Sequence, residues 1–186
     1  MVFPSRKIWI WHSTLGWWLG VVFILLLSSL FEAAGLNEFQ FFLGLCIGGG
    51  VGLLQARLWR VVPGMFRAWL ISTSLGMGLG FFALDLFFLI AEPSSANLLP
   101  KALTGACMAA WLQQRALHRQ QLRVKYWWLG SFLAWAAGLF TVLSMDYLKG
   151  ISAHHLVMFV VNLVLILGGG TVLGLVSAAF LPRQRS

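Results

Sequence analysis

Six largely apolar runs, at residues 8–31, 39–58, 66–90, 98–117, 126–145 and 155–181, are joined by short turns carrying nearly all the charge. Each is about 20 residues or longer, the length a helix needs to cross a bilayer core of about 30 Å. In hydrocarbon the backbone must satisfy its own polar groups, so a lone segment of that length has to be helical. Composition agrees: 60% of the 186 residues are apolar and 10% charged, against roughly 25% charged in a soluble domain. The sequence thus predicts an all-α integral membrane protein with six transmembrane helices in a single membrane domain over 1–186. The run after Arg6 and Lys7 exceeds the ~7–15 residues of a signal-peptide core, so it reads as a retained first helix, with the whole chain expected to be mature.

Basic residues set the expected orientation, because Lys and Arg are retained in short cytoplasmic loops. Arg6, Lys7, Arg57, Arg60, Arg67, Arg115, Arg119, Arg123, Lys125, Arg183 and Arg185, eleven of the thirteen, fall at alternate turns and both ends. Lys101 and Lys149 fall on the other side with all five acidic residues, Glu32, Glu38, Asp85, Glu92 and Asp146. Both termini are expected inside. The net charge of +8 follows from this topology; spread over every inner turn, it does not form the basic and aromatic surface of a nucleic-acid binder. Contact with anionic lipid headgroups is expected.

An internal repeat is visible. Trp9, Trp69 and Trp127 open the odd-numbered helices roughly 60 residues apart, with Gly20, Gly80 and Gly138 in the same registers. Gln55-Ala-Arg57 likewise matches Gln113-Gln-Arg115. The economical reading is three parallel helical hairpins, approximately 1–62, 63–121 and 122–186, N-in and C-in. In the third copy the glutamine register falls on Leu173 or Leu175. Small residues four apart share a helix face and let backbones approach where lipid gives no hydrophobic drive. These packing candidates are Gly16 and Gly20; Gly44, Gly48 and Gly52; Gly76 and Gly80; Gly130 and Gly138; and Gly170 and Gly174. A glycine face could also lie against a partner helix, a pigment, a sterol or a lipid.

The Gly-rich stretch from Gly44 to Arg57, then Pro63 and Trp69-Leu-Ile-Ser-Thr-Ser-Leu-Gly76-Met-Gly-Leu-Gly80, resembles a broad group of uncharacterised multi-pass bacterial membrane proteins frequent in cyanobacteria. They share a Gly-rich helix, a Gln-x-x-x-Arg end, a Trp-Trp helix and a Leu-Gly-x-x-x-Gly pattern. The likeness covers about residues 44–140. It implies a packing habit and no activity, and places the chain in a bacterial inner or thylakoid membrane.

Candidate chemistry is sparse. Asp85 is the carboxylate inside an apolar run, and an ionisable group at such depth is a functional-site hypothesis by default; Lys101, His154 and His155 lie on its side. Asn162, Gln55 and Gln113 are intramembrane amides that could bind a ligand or ion, or hydrogen-bond neighbouring helices. His12, His154 and His155 are candidate axial ligands for a pigment, although adjacent histidines point about 100° apart on a helix. His118 belongs to an inner turn. Cys46 and Cys107 form no metal-binding spacing, and no hydrolase, zinc-protease or phosphate-loop motif occurs. No metal and no catalysis are expected.

Two functional classes stay open. One is a non-catalytic subunit or assembly factor of a larger membrane complex, photosynthetic in a phototroph, contacting lipids and other membrane subunits or copies of itself, with carotenoid, chlorophyll or lipid between glycine faces. The other is a small transporter component or ion channel with a site near Asp85 and Asn162. They differ in whether Asp85, Asn162, Gln55 and Gln113 converge on one cavity.

Overall fold

Long apolar stretches with proline only at the turns or in a first helical turn give helices wherever the structure describes the chain. A computed structural model describes residues 3–35, 40–91, 98–122, 124–148 and 155–182, apart from the side chains of residues 91 and 146–148. The helices are α1 (Arg6–Ala33), α2 (Phe41–Arg57), α3 (Met65–Ala91), α4 (Leu98–Arg119), α5 (Trp127–Leu148) and α6 (His155–Ala179). Every expected segment is matched within three residues at each end. Ser5 caps α1 by accepting the N–H of Ile8, and Gly64 turns the chain into α3 with φ of 75°, a left-handed conformation that suits glycine.

By length and apolarity alone, α1, α3, α5 and α6 can each cross a membrane. The other two differ for visible reasons. At 17 residues, α2 spans only about 26 Å. Helix α4 carries Lys101 near its start and Gln113, Gln114, Arg115, His118 and Arg119 in its last turns. Both are instead lined with small buried residues.

Each helix packs on its neighbours in sequence, and α6 packs back on α1, which closes the six into a ring. Glycines set the approach. Gly16 and Gly20 of α1 abut Val51 and Ile47 of α2, where an added Cβ would lie 2.7 Å from either Cα. Gly44, Gly48 and Gly52 meet Met77 and Thr73 of α3, while Gly76 and Gly80 meet Ala109 and Gly105 of α4. Gly138 abuts the Gly169 carbonyl, Gly130 abuts Phe180, and Gly170 and Gly174 meet Thr14 and Ile10 of α1. The descending-against-ascending numbers make these pairs antiparallel. Ten of the eleven glycines singled out in the sequence therefore face helices of the same chain, and Gly130 faces Phe180 just past the end of α6. The outer face carries exposed leucine, valine and phenylalanine, such as Leu25, Leu30, Phe159 and Val164, apolar surface of the kind that marks contact with a membrane or a partner.

Candidate functional site

At one end of the ring three indoles meet. Trp9, Trp69 and Trp127 are buried and touch pairwise, with ring centroids 5.8, 5.7 and 5.5 Å apart. A buried indole must place its N–H, and the ring positions a partner for each. Gln55 Oε1 accepts from Trp69 at 3.1 Å while its amide donates to Ser13 at 2.9 Å. Gln113 Oε1 accepts from Trp127 at 3.2 Å and Ser131 at 2.7 Å, and its amide donates to Thr73 at 2.9 Å. Both glutamines thus have their polar atoms engaged, each tying three successive helices together. Neither lines the apolar pocket described below.

Trp9 has no such glutamine. Its N–H goes to Ser177 Oγ at 2.9 Å, so the role expected to lapse at Leu173 or Leu175 is taken by a serine. Leu173 is buried in the core and Leu175 is exposed. Ser177 was not singled out in the sequence, because a helical serine that bonds back to the preceding turn, here to Leu173 at 2.7 Å, looks like any other. The hydroxyls of Ser13 and Thr73 were missed for the same reason, and that of Ser131 because its partner, Gln113, is 18 residues away in sequence.

Toward the opposite end lies the ionisable cluster. Lys101 Nζ sits 2.7 Å from Asp85 Oδ1, both side chains almost fully buried. Asp85 Oδ2 accepts the Gln40 backbone N–H at 2.8 Å, and Lys101 donates to the Gln40 side chain at 3.2 Å. The ammonium also lies 5.7 Å from the Phe88 ring centroid. Asp85 and Lys101 neutralise each other between α3 and α4, and Gln40, just ahead of α2, bonds both of them. Gln40 could not be read from sequence, since it stands in a turn without a motif.

From the middle of the ring toward this ion-pair end runs a partly open pocket of about 240 Å³ whose lining is wholly apolar and comes from all six helices. Trp17 and Ile47 form its inner part, Leu25, Leu98 and Leu143 its outer part, and Phe81 and Ala102 a side wall. Trp17 does not turn its N–H into the cavity but donates to the Ile166 carbonyl at 2.7 Å. None of Asp85, Asn162, Gln55 or Gln113 lines this space. Apolar cavities smaller than this stay dry and accept small hydrocarbons.

The remaining candidates are dispersed. Asn162 lies part-way along α6, and no donor among the described residues reaches its buried Oδ1. His12 is half-buried on α1, its Nδ1 2.9 Å from the Ile8 carbonyl. His155 is exposed at the start of α6, and His154 lies outside the described residues. Cys46 is buried and Cys107 exposed, with both thiols free. Among the described residues no His, Cys, Asp and Glu cluster could hold a metal.

Fold and site together define an all-helical protein with, among the described residues, four helices long and apolar enough to cross a membrane, polar clusters toward either end and an apolar pocket within the ring. No family model, curated protein or solved structure matches the chain.

Proposed function

We propose that this chain is a non-catalytic integral membrane subunit that holds a single hydrocarbon chain at the centre of its helix ring and offers its outer face to lipid or neighbouring subunits. The carrying observation is the division of labour inside the ring. Its glutamines and its ion pair are engaged with protein groups, whereas the pocket they leave within the ring is entirely apolar. An ion or polar solute needs ligands along its path; this interior offers aliphatic and aromatic carbon. At about 240 Å³ the space is smaller than the roughly 300–1,000 Å³ of a drug-sized site, so it suits an acyl or isoprenoid segment better than a flat pigment macrocycle.

In this reading the architecture is three hairpins derived from one, with both termini on the side of the arginine-rich turns. The recurrence of indole, amide and hydroxyl at Trp69, Gln55 and Ser13, and again at Trp127, Gln113 and Thr73, supports it. The membrane would be a bacterial inner or thylakoid one, as the resemblance implies. The transport alternative loses its main argument with the separation of Asp85, Asn162 and the two glutamines.

The test is purification from native membranes in a mild detergent, followed by mass spectrometry and absorption. A stoichiometric apolar molecule, with or without a partner subunit, is the expected result. A protein that runs alone and empties of every apolar molecule, yet moves a solute across vesicles, would overturn the reading.

A further inference from the structure

We infer that the groove between α3 and α4 at the arginine-rich end is a binding site for one anionic phospholipid. This rests on the helices lying in a bilayer and is independent of what the central cavity holds. The contacts of Gly76 with Ala109 and of Gly80 with Gly105 fix the two helices as closely apposed and antiparallel. Beside that seam runs an open groove of about 380 Å³. In this register Arg119 and Arg115 stand at its outer end, Ser72 and Leu112 follow, and Leu75 and Leu79 lie deepest.

The groove therefore changes character along its length as an amphiphile does. Among the described residues neither arginine has a carboxylate partner. Arg115 instead lies over the Trp111 ring, 4.5 Å from its centroid, which holds the guanidinium with N–H groups free at its edge. Arg119 stands one helical turn beyond it. Two guanidiniums one turn apart match a phosphodiester, whose oxygens accept paired N–H bonds. Leu75 and Leu79 are each 44% exposed, and from Ser72 to Leu79 the groove continues for about 10 Å. That is room for the upper part of an acyl chain. A free phosphate would use the arginines and leave these leucines uncovered.

The test uses the full chain, stripped of native lipid and returned to nanodiscs holding equal amounts of phosphatidylglycerol and phosphatidylcholine with identical acyl chains. Lipid retained on release is read by native mass spectrometry. One phosphatidylglycerol per chain is expected, favoured by about tenfold or more, the scale of two surface cations acting on an anionic headgroup. Arg115→Gln/Arg119→Gln should bring the preference to within about threefold of unity, and Arg115→Lys/Arg119→Lys should restore most of it. Leu75→Trp, which fills the chain-binding part, should lower retention of both lipids. Arg57→Gln/Arg60→Gln, at the same end but outside the groove, should change nothing. Equal retention of the two lipids by the native chain would overturn the site. So would equal loss from both arginine pairs, which means a diffuse field, or displacement by excess inorganic phosphate, which means a headgroup pocket without a lipid.

Discussion

Replacing Lys101 by methionine should strand the Asp85 carboxylate. In the native chain the two charged atoms stand 2.7 Å apart with their side chains 4% and 1% exposed. At an effective dielectric of about 20 the gross attraction is about 6 kcal/mol. Much of it is offset by the desolvation of both ions, which is why a buried pair adds little net stability compared with apolar residues of similar size. The single substitution is different: Asp85 keeps the Gln40 N–H at 2.8 Å and loses its counter-charge, a change costing about 3–5 kcal/mol. Asp85→Leu alone should cost a similar amount by leaving the ammonium unpaired. The double variant Asp85→Leu/Lys101→Met should return to within about 1 kcal/mol of native stability, because Gln40 stands at the mouth of the bundle, just ahead of α2. The assay is reversible unfolding in mixed micelles followed by tryptophan fluorescence, run as a double-mutant cycle. If the three variants lose stability additively, or if either single substitution is silent, the pair is not the neutralising contact argued for here.

Other consequences concern the indole end and the glycine seams. Gln113→Leu should cost about 2 kcal/mol, since it leaves the Trp127 N–H and the Ser131 and Thr73 hydroxyls without this partner; thermal unfolding in detergent reads it, and a loss below about 0.5 kcal/mol would count against the network. Trp69→Phe deletes a hydrogen bond to Gln55, whereas the buried Trp59 indole nitrogen has no partner among the described residues. Trp69→Phe should thus be more destabilising than Trp59→Phe by about 1 kcal/mol, measured in the same unfolding assay. Gly76→Ala drives a methyl into the Ala109 backbone, while Gly168 has nothing within 4 Å. The first should cost about 1–3 kcal/mol and Gly168→Ala nothing, with melting temperatures compared side by side.

Much of this fold was legible because long apolar runs are a strong signal for helices. Each apolar run maps onto one helix, and Trp9, Trp69 and Trp127, separated by roughly 60 residues in the chain, come together because each opens a helix at the same end of the ring. The glycine pairs were legible as faces but not as partners, since spacing says which side is small and not which helix it meets. Asp85 and Lys101 could be placed on one side by charge, yet their contact depends on α3 and α4 lying close along Gly76 and Gly80. Ser177 and Gln40 carried no signal: one is an ordinary helical serine, the other a turn residue, and each gains its role from atoms distant in sequence. The apolar cavity was invisible for the same reason, because its lining residues are indistinguishable in sequence from those that pack.

The claim that the ring is a holder of hydrocarbon is tested most directly by counting the apolar molecule bound per chain in protein purified from its own membrane, native against Val142→Phe. Val142 lines the cavity, so the larger ring occupies the space without touching the ion pair or the indole network. The account predicts close to one apolar molecule per native chain and a several-fold loss in the variant at unchanged melting temperature. Equal occupancy in the two proteins, or none in either, would contradict it.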